Sequence, residues 1–345
     1  MTDLSLQSLS DSARQERVDA VQSRGFTERQ ARFLVHVLVH SGVFLERQYR
    51  AFAHIAHGQK THDFLRKLVG RGYAKAITPG ALHRGRLYHV HYKPLYRAIG
   101  EPDNRHRKSA TLGRFVERLM VLDAVLDETS CTWLGAERDK RSHFILARSS
   151  GAERLRDQDL PRLVFGDGDD QTVRYFPDKM PIGVPREGWR YVFLYLMTRE
   201  APDDFRVFLH RHRELLSTLY EWSIRILVPH RFLKAAALYK QAVREELMTP
   251  LRPRDADDLA CLFRRRRDTA ANAADPPFEV AEVTQRYGRA RLRTLRRTWE
   301  QDGDQALWSA QSPTLRDHLQ TDRGRIEFVA LNRQYLQLSQ LVGVA

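Results

Sequence analysis

Residues 27–100 read TERQARFLVHVLVHSGVFLERQYRAFAHIAHGQKTHDFLRKLVGRGYAKAITPGALHRGRLYHVHYKPLYRAIG. Apolar residues recur here at helical spacing three times and then alternate. Thr27 caps a helix with Phe33, Leu34, Val37 and Leu38 inward, and Ser41-Gly42 stops it. A short helix over 45–55 turns Tyr49, Phe52 and Ile55 inward. After His57-Gly58, a helix over 60–71 does the same with Phe64, Leu65, Leu68 and Val69. Gly72 ends it. A strand over 73–77, a turn over 78–85 holding Pro79, Gly80 and Gly85, and a return strand over 87–92 follow. Pro94 opens a short last helix that ends at Gly100. This order predicts a winged helix-turn-helix, in which the second helix of the pair enters the major groove.

With that apolar face inward, Lys60, His62, Asp63, Arg66 and Lys67 point outward, and Gln59 stands at the entry. Gln and Arg make bidentate contacts to adenine and guanine, whereas Lys mainly neutralises phosphate. His83, Arg84 and Arg86 fall on the expected wing. The alternative is a protein-interaction module whose charges are merely solvated.

Charge supports the first reading. The 345 residues carry a formal net charge of +14, which favours polyanionic partners. Residues 1–108 hold 19 Lys and Arg against 9 Asp and Glu, while the remainder holds 38 against 34. The excess therefore sits with the helix-turn-helix. A second basic focus lies in a helix over 279–300, where Arg286, Arg289, Arg291, Arg293, Arg296 and Arg297 follow with no acid between them. Arg289, Arg293 and Arg296 are candidate phosphate contacts there; a solvated helix face is the equal alternative.

Composition, 42% hydrophobic and 29% charged, is that of a globular protein. No apolar run approaches the roughly 18 residues of a membrane span, so no membrane partner is expected. The polar N-terminus does not read as a signal peptide. Cys131 and Cys261 form no metal or redox motif, and a reducing, cytoplasmic location is expected.

After a loose tail over 1–10, a first helix runs to about residue 24. The polar stretch 101–108 reads as a linker, and a helix over 109–126 follows with one apolar stripe. Strands near 172–176, 181–184, 189–198 and 223–228 interleave with helices over 203–221 and 231–248, which predicts an α/β region. Helical segments follow near 255–267, 279–300 and 314–342. The expected division is a winged helix over 1–101, an α/β scaffold or dimerisation domain over 109–249, and a basic helical region over 254–345. The fold class is α+β.

Several motifs suggest chemistry. His89-Val90-His91 on a strand, with Tyr92 and Tyr96 nearby, matches the metal-binding triplet of DNA-nicking relaxases, and a metal-dependent nicking enzyme using this pair is the enzymatic alternative. Ordinary strand histidines are the simpler reading. His36 and His40, and His54 and His57, have helical metal-binding spacing but lack acidic partners. Residues 166–170, GDGDD, read as a surface turn rather than a Ca²⁺ loop. His210 and Arg213 read as helix surface. Pro177-Asp178 resembles the start of a restriction-type nuclease core, in which an acid-x-Lys on the next strand completes a Mg²⁺ site. The next strand, YVFLYLMT over 191–198, carries neither.

The arrangement from Gly25 to Gly100 is similar to the N-terminal winged helix of the replication-relaxation family of bacterial plasmids and integrated elements. Thr27-Glu28-Arg29-Gln30, Phe64-Leu65-Arg66-Lys67-Leu68-Val69, Gly72-Tyr73 and Leu87-Tyr88-His89 carry the resemblance. It implies a winged helix joined to a restriction-nuclease-like half. Tyr195 stands where that half would show an acid, so the resemblance implies a degenerate, non-catalytic version. The expectation is a non-catalytic, sequence-specific binder of double-stranded DNA. It would be a transcriptional regulator, or a replication or transfer accessory factor of a mobile element. Gln59, His62 and Arg66 would read bases. Lys60, Lys67, Arg84, Arg86, Arg289, Arg293 and Arg296 would hold phosphates. No cofactor or metal is expected, and a homodimer is allowed although no heptad repeat demands one.

Overall fold

The computed structural model describes residues 3–77, 86–147, 155–166, 170–268 and 280–331. The chain is mixed α+β, with three separate sheets. The N-terminal unit runs α1 (Asp3–Gln22), α2 (Glu28–His40), β1 (Val43–Leu45), α3 (Glu46–Ala53), α4 (Gln59–Gly70), β2 (Ala74–Ile77), β3 (Leu87–Val90) and α5 (Lys93–Ala98). Thr27 and Gln30 form a reciprocal capping box that fixes the start of α2. Phe33 of α2 is fully buried and meets Phe44, Tyr49 and Phe64 at ring separations of 5.2, 5.1 and 6.2 Å. One aromatic cluster thus binds α2, β1, α3 and α4 together.

Two details differ from expectation. The helix expected over 45–55 begins as a strand: Val43 pairs with His89 and Leu45 with Leu87, so β1 joins an antiparallel sheet of order β1-β3-β2. The first helix begins at Asp3, well inside the expected tail.

Residues 101–108 are folded onto the N-terminal unit. His106 is buried in a 3-10 turn (Arg105–Arg107). A Cβ on Gly42, whose φ is +71°, would lie 2.4 Å from the His106 carbonyl oxygen. Only glycine allows both that backbone and that approach.

The next helix, α6 (Leu112–Asp127), buries two faces. Phe115 and Leu119 pack with Val43, Leu45 and Leu87 of the N-terminal unit. Val116, Met120 and Val125 pack with Trp133, Val192, Leu194 and Leu227 of the central sheet. That sheet comprises β4 (Cys131–Leu134), β7 (Ile182–Pro185), β8 (Arg190–Leu196), β9 (Glu221–Val228) and β10 (Gly324–Ala330), in the order β10-β9-β8-β7-β4. Strands β8, β9 and β10 are parallel; β7 and β4 are antiparallel to their neighbours. Between β4 and β7 lie α7 (Glu137–Ala147) and a two-stranded sheet of β5 (Arg162–Phe165) and β6 (Thr172–Tyr175). The second sheet face packs on α8 (Asp203–Thr218) and α9 (Ala236–Leu247) through Tyr195, Ile224, Ile226, Phe205 and Tyr239.

The C-terminal part holds α10 (Pro253–Asp268), α11 (Val280–Tyr287), α12 (Arg289–Asp302), α13 (Gln305–Ser309) and α14 (Thr314–Gln320). Gly288, with φ +79°, breaks the expected helix over 279–300 into α11 and α12. The helix expected over 314–342 ends at Gln320, and β10 takes its place beside β9. Among the described residues, no helix is long and apolar enough to cross a membrane.

Candidate nucleic-acid interface

The α3–α4 pair is joined by a tight turn. His54 adopts φ 52°, ψ 45° at the end of α3, and its neighbour Ile55 donates to the Arg50 carbonyl at 3.1 Å. Gly58 precedes α4 without a side-chain cap, leaving the positive end of the helix open to solvent. Thr61, Phe64, Leu65 and Leu68 fix the inner face of α4, while Val69, expected inward, is 41% exposed.

Gln59, Lys60, His62, Asp63 and Arg66 lie on the open face. The Arg66 side chain is 70% exposed. Asp63 organises this row: its Oδ1 accepts from Gln59 Nε2 at 2.8 Å and also from the Arg66 guanidinium. Gln59 and Arg66 are thereby held side by side on the surface. Asp63 is the sole acidic residue between residues 51 and 100, against nine Lys and Arg.

Lys67 is a correction to the expected contact row. Its ammonium turns back, donates to the Gly25 carbonyl at 2.5 Å and lies 5.4 Å from the Phe26 ring centre. Arg86 is exposed at the start of β3. His83 and Arg84 lie outside the described residues. Arg289, Arg293 and Arg296 are exposed on α12, a helix packed against α8, α9, α11 and α13 and separate from the α4 row. Arg296 pairs with Glu300 at 2.9 Å, and Arg293 lies 4.0 Å from Asp203.

Of the other arginines of that run, Arg297 is exposed and two are engaged within the fold. Arg286 is paired with Asp255 at 2.8 Å, and Arg291 is fully buried. His210 and Arg213, expected on a helix surface, are buried as well. Glu246 of α9, also fully buried, collects them. It takes Arg206 at 2.6 Å and His210 at 2.7 Å, and its main-chain oxygen accepts from Arg213 at 2.5 Å.

Of the histidine triplet, His89 faces the 3-10 turn from β3, and His91 is half-buried just past the strand. His89 is buried and its Nε2 donates to the His106 carbonyl at 3.0 Å. Burial lowers its pKa. Tyr96 is fully buried with its hydroxyl donated to the Val90 carbonyl at 2.9 Å, and burial raises its pKa. Tyr92 is exposed and stacks on Tyr73 at 4.8 Å. Among the described residues, no group of three His, Cys, Asp or Glu side chains is placed to hold a metal ion.

Asp178 lies just before β7. Its Oδ1 accepts from the Met180 amide at 2.7 Å, and its Oδ2 lies 3.4 Å from His212 Nε2. Lys140 of α7, fully buried, donates to the Met180 carbonyl at 2.6 Å, and burial lowers its pKa to about 8. Tyr195 on β8 is buried in the α8–α9 core, where burial raises its pKa. No protein-family model, curated protein or solved structure matches the chain.

Proposed function

We propose that the N-terminal unit is a winged helix-turn-helix and that the protein is a non-catalytic, sequence-specific binder of double-stranded DNA. The observation that carries this reading is the open face of α4, where Gln59, Lys60, His62 and Arg66 stand free of the apolar core. The order α2-β1-α3-α4-β2-β3 with sheet order β1-β3-β2 supports it. So does the basic excess of residues 51–100.

In this reading α4 lies in the major groove and its open N-terminus faces a phosphate. Arg66 and Gln59 exchange Asp63 for base edges, with guanine and adenine as their natural partners. Lys60 and Arg86 neutralise phosphates. The β4-β7-β8-β9 order, with Asp178 ahead of β7 and α8 crossing over to β9, supports a nuclease-like scaffold. Strand β8, RYVFLYL, lacks the acid and lysine that catalysis on such a scaffold needs. A role as regulator or as accessory factor in replication or transfer follows from that combination.

The test is fluorescence anisotropy of the purified chain with duplexes from its own upstream region, at several salt concentrations. Specific binding with a steep salt slope is expected, and Arg66→Ala should weaken it by about 1–3 kcal/mol at the specific site. Unchanged binding by Arg66→Ala would show that α4 is not the reading helix. No binding to any duplex would favour the protein-interaction alternative.

A further inference from the structure

Strands β8, β9 and β10 run parallel and start side by side, with Arg190 opposite Glu221 and Trp222 opposite Gly324. The residues just ahead of them stand at one end of the sheet in the order Trp189, Tyr220, Arg323. Neighbouring strands lie about 4.8 Å apart, so the three side chains form a row roughly 10 Å long. Two of the three are aromatic and open to solvent. Trp189 is 59% exposed and Tyr220 60%, whereas Trp133, Trp222 and Trp299 are buried. Large aromatic rings are mostly covered in folded chains, and exposed ones gathered in one patch mark interaction sites.

The two rings meet nearly at right angles, with centroids 6.5 Å apart and planes inclined by 76°. Trp189 has no other ring contact and no hydrogen bond among the described residues, so more than half of its indole surface is open to a ligand. Arg323 donates from Nε to the Tyr220 carbonyl at 2.9 Å and sets its guanidinium 4.8 Å from the Tyr220 ring centre. Its terminal nitrogens have no carboxylate partner among the described residues. The acids beside it are taken: Glu221 lies 3.1 Å from Arg190, and Asp322 pairs with Arg325. Residues 186–190, 220–221 and 322–325 together carry four arginines against three acids, so the surroundings of the row are slightly basic.

We propose that this row is a docking site for single-stranded nucleic acid. One base stacks on Trp189, Tyr220 braces it from the side, and a neighbouring phosphate accepts from the terminal nitrogens of Arg323. Stacking tolerates any sequence because every base has a π-face, and the guanidinium adds charge-assisted hydrogen bonds to phosphate. The bases of a duplex are stacked on one another and offer no face to the indole, so the row selects single strands. A proline-rich segment also docks on exposed aromatic side chains, but it carries no phosphate for Arg323 to meet. The row stands on the ends of paired strands, so little backbone ordering is lost on binding.

The site is separate from α4, and its test does not depend on duplex binding. The full chain is titrated with a short fluorescein-labelled oligothymidylate at physiological salt and followed by anisotropy, and with the unlabelled strand by tryptophan emission. Saturable binding with quenching of tryptophan is expected. Trp189→Ala should weaken binding about tenfold or more and remove most of the quenching, while Trp189→Phe should keep most of the affinity. Trp308 on α13 is 57% exposed and stands outside the row, so Trp308→Ala should bind as the unaltered chain does. Both tryptophans are at the surface, and circular dichroism checks that each variant is folded. No saturable binding of oligothymidylate, equal affinity for it in Trp189→Ala, the same loss in Trp308→Ala, or tighter binding of a decaproline peptide than of oligothymidylate would each overturn the proposal.

Discussion

Replacing Glu246 with Gln should destabilise the protein, while replacing Arg291 with Met should not. Both side chains are fully buried in the same cluster. Three buried guanidinium groups, Arg206, Arg213 and Arg291, surround Glu246, with Glu245 at the edge 2.5 Å from Arg206. Burial alone would raise the pKa of Glu246, but His210, Arg291 and Arg206 outweigh it and hold the value at about 2. Against an ordinary value of 4.5, that is a stabilisation of about 3 kcal/mol in the ionised form. It agrees with the roughly 3–5 kcal/mol lost when one partner of a buried pair is removed. Arg291 is in the opposite position. Its Nε lies 3.4 Å from Glu246, and none of its three guanidinium nitrogens has a hydrogen-bond partner among the described residues. Burial lowers its pKa, so its charge opposes folding. Met fills much of the same volume without that charge, and Glu246 keeps Arg206 and His210. Arg291→Met should be neutral or stabilising by about 1–2 kcal/mol. Urea unfolding followed by tryptophan fluorescence measures both. The Glu246 contribution is complete above pH 4.5 and is lost as pH falls toward 2, so the deficit of Glu246→Gln should shrink through that window. A deficit under about 1 kcal/mol for Glu246→Gln, or a loss larger than that for Arg291→Met, would refute the account of the cluster.

His143 should make the fold sensitive to acid. Burial alone holds its pKa at about 4, so the unfolded chain takes up a proton below pH 6.5 that the folded chain refuses. Stability should fall by about 3 kcal/mol from this group between pH 6.5 and 4, and His143→Gln should flatten that part of the urea-midpoint profile. An unchanged profile would place the acid sensitivity elsewhere. Gly42→Ala must adopt a left-handed backbone and push a Cβ toward the His106 carbonyl, which should cost about 2–5 kcal/mol, and an unaltered melting temperature would contradict that packing. On α4, Lys60→Ala should lower the slope of log K against log salt by about 1, while Lys67→Ala should leave the slope alone. The reverse ranking would mean that Lys67 leaves Gly25 to reach phosphate.

How much of this was legible in the sequence depends on where each element finds its partner. Helix α2, with its capping box at Thr27 and Gln30, and helix α4, with Phe64, Leu65 and Leu68, are set by residues a few positions apart, and their patterns are plain. Strand β10 is different. Its partner β9 lies about a hundred residues upstream, pairing Ala330 with Val228, and GRIEFVA has no turn or hairpin signal to announce it. The buried charges were missed for a second reason: charged residues read as surface by default. A signal was nonetheless present. Arg291, Leu295 and Trp299 recur every four residues and form one buried stripe. Arg206, His210 and Arg213, spaced by four and then three residues on α8, share one face turned toward Glu246 of α9. Of the candidate interface, sequence periodicity gave the outward row of α4 but could not show that Lys67 would be drawn back to a carbonyl more than forty residues upstream.

The two-faced burial of α6 changes what the N-terminal unit can do. The expected linker at 101–108 would have let it swing on the central sheet. Instead Arg47 of α3 holds Asp123 of α6 bidentately at 2.8 and 2.6 Å. Gln48 closes the start of α3 through the Leu45 amide at 2.8 Å and donates to the Leu119 carbonyl at 3.1 Å. The same helix buries Val116 and Met120 against Trp133 and Leu194 of the sheet. Helix α3, which carries the turn into α4, is therefore tied to the sheet through one rigid rod. A displacement of the central sheet reaches α4 through packed side chains and not through a flexible chain.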